Sequence, residues 1–226
     1  MAVEEITLNL SGIKVPAHAS DLIAEVDRMI DQFDAADGRR RNPNYVPVDA
    51  LLLYSAMAHV TDLNLPIGRV FCELGSGLGL GACFAAMLGY ESYGIEIDPK
   101  LVTAARELAN RRNLDPRFLC TNYFPDGYSS YPGQGGDELI APPLVRNRYG
   151  DVIEKPCFEG MGHDTDEIDL FFVYPWPKEH EMMQDLFDSI AGDGAILIAY
   201  YGDGEICAYR KIDDAHEPSE FERDDD

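Results

Sequence analysis

The sequence predicts an α/β fold: three layers around a mostly parallel sheet, an antiparallel C-terminal strand, and an N-terminal helical addition. Three observations predict it. From residue 69 onward, short apolar runs alternate with helix-length amphipathic segments, the pattern of repeated βαβ units. The first run, Val70-Phe-Cys-Glu73-Leu, enters a glycine-rich turn, Gly75-Ser76-Gly77-Leu-Gly79-Leu-Gly81, and then a helix-like stretch to Leu88. Near the end, Gly202-Asp203-Gly204 reverses the chain between two strand-like runs, which sets the last strand antiparallel.

Residues 1–44 read as an N-terminal arm and helix. Ile6, Leu8, Leu10, Ile13 and Val15 alternate loosely, as a strand or an extended arm would. Ser20 or Asp21 caps a helix to about Phe33. Its stripe, Leu22, Ile23, Val26, Met29, Ile30 and Phe33, faces the protein's own core, the active site or a second copy. Arg39-Arg40-Arg41 sits in a loop. Residues 45–212 read as one α/β domain. Asp49 caps a helix over 50–60. Strands follow at 69–74, 92–97, 117–121, 169–173 and 195–200, with helices at 79–89, 99–112 and 179–190 and a return strand at 205–212. In the helix at 99–112, Leu101, Val102, Ala105, Leu108 and Ala109 make one apolar face. Asp169 begins its strand in a structural position. Residues 125–167 form a long irregular insertion, read as a cover over a substrate. The tail, 213–226, is acidic, poor in apolar residues and expected to be disordered.

The net charge of −23 repels phosphate backbones, so nucleic acid is not the expected partner. Five lysines among the 18 basic residues also fit a saline habitat. No apolar run reaches the roughly 20 residues of a membrane span, so no membrane contact is expected. The N-terminus has neither a basic start nor an apolar stretch, and five widely spaced cysteines read as reduced core thiols. Both features predict a cytoplasmic protein. Without Cys-x-x-Cys or His-x-x-x-His spacing, no metal is expected. His163-Asp164-Thr165-Asp166-Glu167 reads as a solvated turn, since consecutive side chains point in different directions.

A strand, a glycine turn and a helix start make a nucleotide cradle, with free N–H donors at the helix N-terminus. Gly77-Leu-Gly79-Leu-Gly81-Ala82 satisfies the dinucleotide pattern G-x-G-x-x-G/A. Two acids add to it. Glu73 lies two residues before the first glycine, and Glu96 ends the next strand, 17 residues after Gly79, where it suits a ribose diol.

Glu73-Leu-Gly75-Ser76-Gly77-Leu-Gly79 resembles the first motif, E/D-x-G-x-G-x-G, of the class I S-adenosylmethionine (SAM) methyltransferases. Gly94-Ile-Glu96-Ile97-Asp98-Pro99 looks like their second. The resemblance spans roughly residues 45–200 and implies a three-layer Rossmann-like methyltransferase sheet. It implies SAM as cofactor, with Glu73, Gly75, Ser76, Gly77 and Gly79 around the methionine part. Glu96, with Ile97 beside it, would take the ribose, and Asn122 the adenine. Tyr174-Pro-Trp176-Pro-Lys178 stands where amino-group methyltransferases carry Asn/Asp-Pro-Pro-Tyr, and Pro175-Trp176-Pro177-Lys178 resembles part of a motif of tRNA guanine-N7 methyltransferases. Tyr174 replaces the Asp or Asn of both. Tyr174, also beside the cofactor, and Trp176 are therefore the catalytic candidates, orienting or stacking on the acceptor. Tyr45-Val46-Pro47 resembles a segment of some lysine methyltransferases; by itself Tyr45 reads as a packing residue. The implied reaction is methyl transfer to N or O of a small molecule or a protein side chain. An NAD(P)-linked oxidoreductase on the same turn and a SAM-binding protein without catalysis are the alternatives.

Overall fold

A computed structural model describes residues 3–36, 45–124, 129–130, 139–140 and 157–212. The triple arginine, most of the 125–167 insertion and the acidic tail lie outside them. Strands are β1 (Val3–Ile6), β2 (Val70–Leu74), β3 (Glu91–Glu96), β4 (Arg117–Cys120), β5 (Ser129–Ser130), β6 (Leu139–Ile140), β7 (Leu170–Val173), β8 (Ile196–Gly202) and β9 (Glu205–Lys211). Helices are α1 (Ala17–Ala36), α2 (Ala50–Asp62), α3 (Leu80–Met87), α4 (Pro99–Arg112) and α5 (His180–Ile190).

Seven strands form one sheet in the order β1-β9-β8-β7-β2-β3-β4, and β5 pairs with β6 apart from it. β4, β3, β2, β7 and β8 are parallel, and β9 runs antiparallel to β8 beyond Gly202 and Gly204. Of the two readings of the N-terminal segment, strand or extended arm, Val3–Ile6 takes the strand and residues 7–10 continue without regular structure. Val3 pairs with Lys211 and Ile6 with Ala208, so the N-terminus covers the outer edge of β9.

Strand alternation sorts the core into two layers. Phe71, Leu170, Phe172, Ile196 and Ile198 face α1 to α4, where Leu22 and Val26 of α1 are buried. Leu22, Ile23, Val26, Met29 and Ile30 of the α1 stripe thus pack on the protein's own core. Cys72, Leu74, Phe171, Val173 and Leu197 face the other way, onto Met183, Leu186 and Phe187 of α5. The two apolar layers make the three-layer fold.

Local chemistry sets the element ends. Asp49 accepts the Leu52 amide at 3.0 Å to start α2, and Asp98 accepts that of Lys100 at 2.8 Å to start α4. Asn113, with φ 53°, stops α4 in the left-handed conformation that asparagine tolerates. Asp169 accepts the Val70 amide at 2.8 Å, tying the start of β7 to β2. Glu25 joins α1 to α4 through Arg111 at 2.7 Å and Arg112 at 2.5 Å.

Two expectations are corrected. Cys72 and Cys83 are buried, but Cys120, on the edge strand β4, is exposed. The His163–Glu167 segment is a turn with Asp166 and Glu167 exposed, as expected, but His163 itself is half-buried. Its Nε2 lies 3.4 Å from Glu91 and its Nδ1 3.7 Å from Glu167, and its ring meets the edge of Tyr93. That clasp sits at the start of β3, the end of the strand opposite Glu96. Among the described residues, no helix is long and apolar enough to cross a membrane.

Candidate functional site

Open parallel sheets bind ligands beyond the carboxyl ends of their strands. Here Leu74 of β2, Glu96 of β3, Val173 of β7 and Tyr201 of β8 border a cavity of about 710 Å³. That volume lies within the range of small-molecule sites.

One wall is the glycine turn. The Gly75 and Ser76 amides donate to the Ile95 carbonyl at 2.9 and 2.7 Å, and Gly79 donates to the Ser76 carbonyl at 2.7 Å. The Gly77 amide donates to Glu96 Oε2 at 2.8 Å, and the Asp98 amide donates to Oε1 at 2.8 Å. Glu96 therefore holds the turn and the start of α4 together while presenting its carboxylate to the cavity.

Glu73 has a different place. Alternation along β2 puts it on the same face as Phe71, the face of α3. Its carboxylate accepts the Ala82 amide at 2.8 Å and the Gly81 amide at 3.3 Å, so it fills the helix N-terminus. Burial pushes the Glu73 carboxyl up to about 8; the two amides oppose the rise and the nearby Glu96 charge adds to it. Two of the helix-start donors expected from the sequence, the Gly81 and Ala82 amides, are thus occupied from within the protein.

Of the cofactor candidates, Gly75, Gly77, Glu96, Ile97 and Tyr174 line the cavity, while Glu73, Ser76, Gly79 and Asn122 do not. Ser76 is buried, and its hydroxyl has no hydrogen-bond partner among the described residues. Gly79 packs under Phe118 as the N-cap of α3. Asn122 is exposed, and its Oδ1 accepts the Phe124 amide at 3.1 Å. Gly75, at φ +77° with nothing within 4 Å of where a Cβ would stand, leaves open space on the ligand side.

The cavity is also bordered by both catalytic candidates. Tyr174 packs edge-on against Tyr200, centroids 4.8 Å apart. Burial raises its phenol, with the Tyr200 and Asp203 charges adding, which keeps it protonated and so without its basic form at neutral pH. Trp176 is 44% exposed on the cavity mouth. Glu179 Oε2 accepts the Trp176 amide at 3.3 Å, closing the turn before α5.

Much of the wall was not among the sequence candidates. Tyr45 is one example: its ring lies over Gly77, within 2.5 Å of where a Cβ would stand. Tyr123, Glu179 and Tyr201 are others. Tyr201 had a usable signal, since it stands at the carboxyl end of a strand.

The residues present fit an adenosyl sulfonium ligand. The open face at Gly75 admits its backbone-like part, Glu96 offers acceptors for a diol, and the carboxylates of Glu96 and Asp98 favour a positive charge.

No protein-family model and no curated protein matches the sequence. Solved structures do match. A methyltransferase from Geobacter sulfurreducens aligns at TM-score 0.51 and 13% identity, over 88% of this chain and 91% of its own. An RNA methyltransferase from Salinibacter ruber in complex with S-adenosyl-L-homocysteine aligns at TM-score 0.47 and 17% identity, over 76% and 98%. A 16S rRNA methyltransferase from T. thermophilus, in complex with AdoMet and guanosine, aligns at 0.47 and 13%, over 76% and 45%. With its strand order, antiparallel β9 and glycine turn between two acids, the chain has the class I SAM-dependent methyltransferase fold.

Proposed function

We propose that this protein is a SAM-dependent methyltransferase whose acceptor is a nitrogen or oxygen of a small molecule or protein side chain. One observation carries the reading: the N-terminus of α3 is filled by the Glu73 carboxylate. Dinucleotide enzymes place a pyrophosphate at that helix end. Here a phosphate would meet a buried carboxyl and amides already engaged. A ligand with a ribose but no phosphate fits the same turn. The sheet supports this, since the dinucleotide order is six parallel strands and β9 is antiparallel.

In this reading Glu96 accepts the two ribose hydroxyls, using lone pairs left after Gly77 and Asp98 are bonded. Ile97, 69% exposed at the mouth, packs on the base. Gly75 and Gly77 let the chain approach the amino-acid part closely. Glu73 acts through the turn by fixing α3 beneath it. Asn122, which does not border the cavity and whose Oδ1 is engaged by the Phe124 amide, is given no contact with the adenine in this reading. When bound, SAM supplies a sulfonium methyl for in-line displacement, the S–C bond breaking with its electron pair left on sulfur. Tyr174 and Trp176 hold the acceptor in line and exclude water.

The test is calorimetric titration with SAM, S-adenosylhomocysteine, NADH and NADPH, then a methyl-transfer screen with amine, hydroxyl, peptide and RNA acceptors. Micromolar binding of the two adenosyl ligands alone, with turnover on a small molecule or peptide, is the expected result. Binding of a nicotinamide cofactor instead would overturn the cofactor, and turnover on RNA alone would overturn the acceptor class.

A further inference from the structure

Part of the cavity wall is aromatic and acidic at once. Tyr123, Tyr174, Trp176 and Tyr201 all border the cavity, with Glu179 among them. Trp176 and Glu179 share one turn, joined by the 3.3 Å bond from the Trp176 amide. The Tyr201 ring is held in place by the His180 ring at 4.4 Å and by the Gln184 amide, which donates to its hydroxyl at 3.0 Å. The Glu179 charge reaches Tyr123, whose phenol is pushed up to about 12, mainly by burial. Three carboxylates, Glu96, Asp98 and Glu179, border the cavity against one lysine, Lys178. The chain as a whole carries −23.

Resting on the methyl-transfer reading above, we infer that the acceptor is an aliphatic amine, held as its ammonium ion against Tyr123, Tyr174, Trp176 and Tyr201 with Glu179 as counter-charge. Aromatic faces carry negative charge density and attract a cation, most strongly where water is thinned. A nearby carboxylate adds charge complementarity, and the negative field of the protein draws cations in. An anionic acceptor would meet three carboxylates. A hydroxyl acceptor needs a strong base, and the phenols beside it are shifted upward, Tyr174 as well as Tyr123. An amine needs only to lose one ammonium proton, to Glu179 or to water. Its lone pair then forms the N–C bond as the S–C bond breaks and sulfur keeps that pair. A primary ammonium becomes a methylammonium of the same charge, and one proton is released overall.

Trp176 is the single tryptophan of the chain, so its fluorescence reports this wall directly. The experiment titrates the full chain with n-butylammonium, tetramethylammonium, n-butanol, a lysine-containing peptide and a short RNA. Each titration is run with and without S-adenosylhomocysteine, whose own binding is measured by calorimetry. The ammonium ions are expected to saturate the signal at least about fivefold more tightly than n-butanol. Glu179→Gln is expected to remove most of that preference at an unchanged melting temperature, and Tyr123→Leu supplies a second reading if that variant misfolds. Tighter binding of the peptide than of butylammonium assigns a protein lysine as the source, and the reverse a small amine; both uphold the inference. Equal binding of n-butanol, no effect of Glu179→Gln or Tyr123→Leu, or saturation by RNA in place of the ammonium overturns it. Absence of S-adenosylhomocysteine binding would instead overturn the methyl-transfer reading, and the ammonium preference is read independently of that result.

Discussion

Glu73 Oε2 accepts the Ala82 amide at 2.8 Å, from a side chain that is 4% exposed. A carboxyl thus lies buried against the first turn of the helix that follows the glycine turn. Burial disfavours its charge and the helix amides favour it. Burial prevails, and the group titrates near neutrality, at about 8.

The first prediction concerns pH. Folding raises the Glu73 pKa from its ordinary 4.5 to about 8, so the native state holds this proton more tightly than the unfolded chain. Its stabilisation is complete below about 4.5 and is lost as pH rises through about 8. Glu73→Gln keeps the shape and one acceptor but cannot titrate. Relative to the variant, the wild type should lose up to about 1.4 kcal/mol per pH unit across that window. Urea melts of both proteins at half-unit steps from pH 5 to 9 measure this, and parallel profiles would sink the assignment.

The second concerns Glu96. Glu96→Ala removes the acceptor for the Gly77 and Asp98 amides as well as that for a diol. S-adenosylhomocysteine affinity should fall by more than about 1 kcal/mol, the scale of a lost hydrogen bond to a charged group. Calorimetry at matched folded fraction checks it. Unchanged affinity would remove Glu96 from the binding role.

Much of this was legible in the sequence because it is local. Asp49 announces its helix, and the apolar run 70–74 with the glycines after it marks strand, turn and helix start. What stayed hidden depends on distant pairing. Nothing in Val3–Ile6 names Ala208 to Lys211 as its partner, and nothing around His163 names Glu91. The glycine turn shows the converse limit. Its motif marks the place of a ligand, yet which amides stay free follows from Glu73, Ile95 and Glu96 folding back onto it. Tyr45 looked like packing and does pack, over Gly77, but in doing so it becomes a cavity wall.

The third prediction separates two glycines of that turn. At Gly79 an added Cβ would stand 2.4 Å from the Phe118 ring, with φ at +75°. Gly79→Ala should cost more than about 2 kcal/mol of stability, since left-handed strain of about 1–2 kcal/mol adds to a clash inside the core. Gly75→Ala carries similar backbone strain, but its Cβ enters open space on the cavity side. It should lose less stability and more S-adenosylhomocysteine affinity. Denaturant melts paired with calorimetry test the contrast, and equal losses in both measurements would refute it.

The last concerns Lys178, the only lysine bordering the cavity among the described residues. It holds φ 84°, a left-handed conformation that costs an L side chain about 1–2 kcal/mol. The strain falls between the exposed Trp176 and the first turn of α5, where the chain must turn sharply to bring Glu179 back onto the Trp176 amide. Strain of this kind persists where the surroundings impose it. Lys178→Gly relieves it, and the extra freedom of glycine in the unfolded chain returns part of the gain. The net effect should be a rise in stability of about 0.5–1 kcal/mol. The same variant removes the one lysine charge facing Glu96, Asp98 and Glu179, so butylammonium should bind more tightly to it. Urea melts and Trp176 fluorescence read the two effects on one sample. A drop in stability would show that the Lys178 side chain makes a contact worth more than the strain, and unchanged ammonium affinity would show that its charge does not reach the aromatic wall.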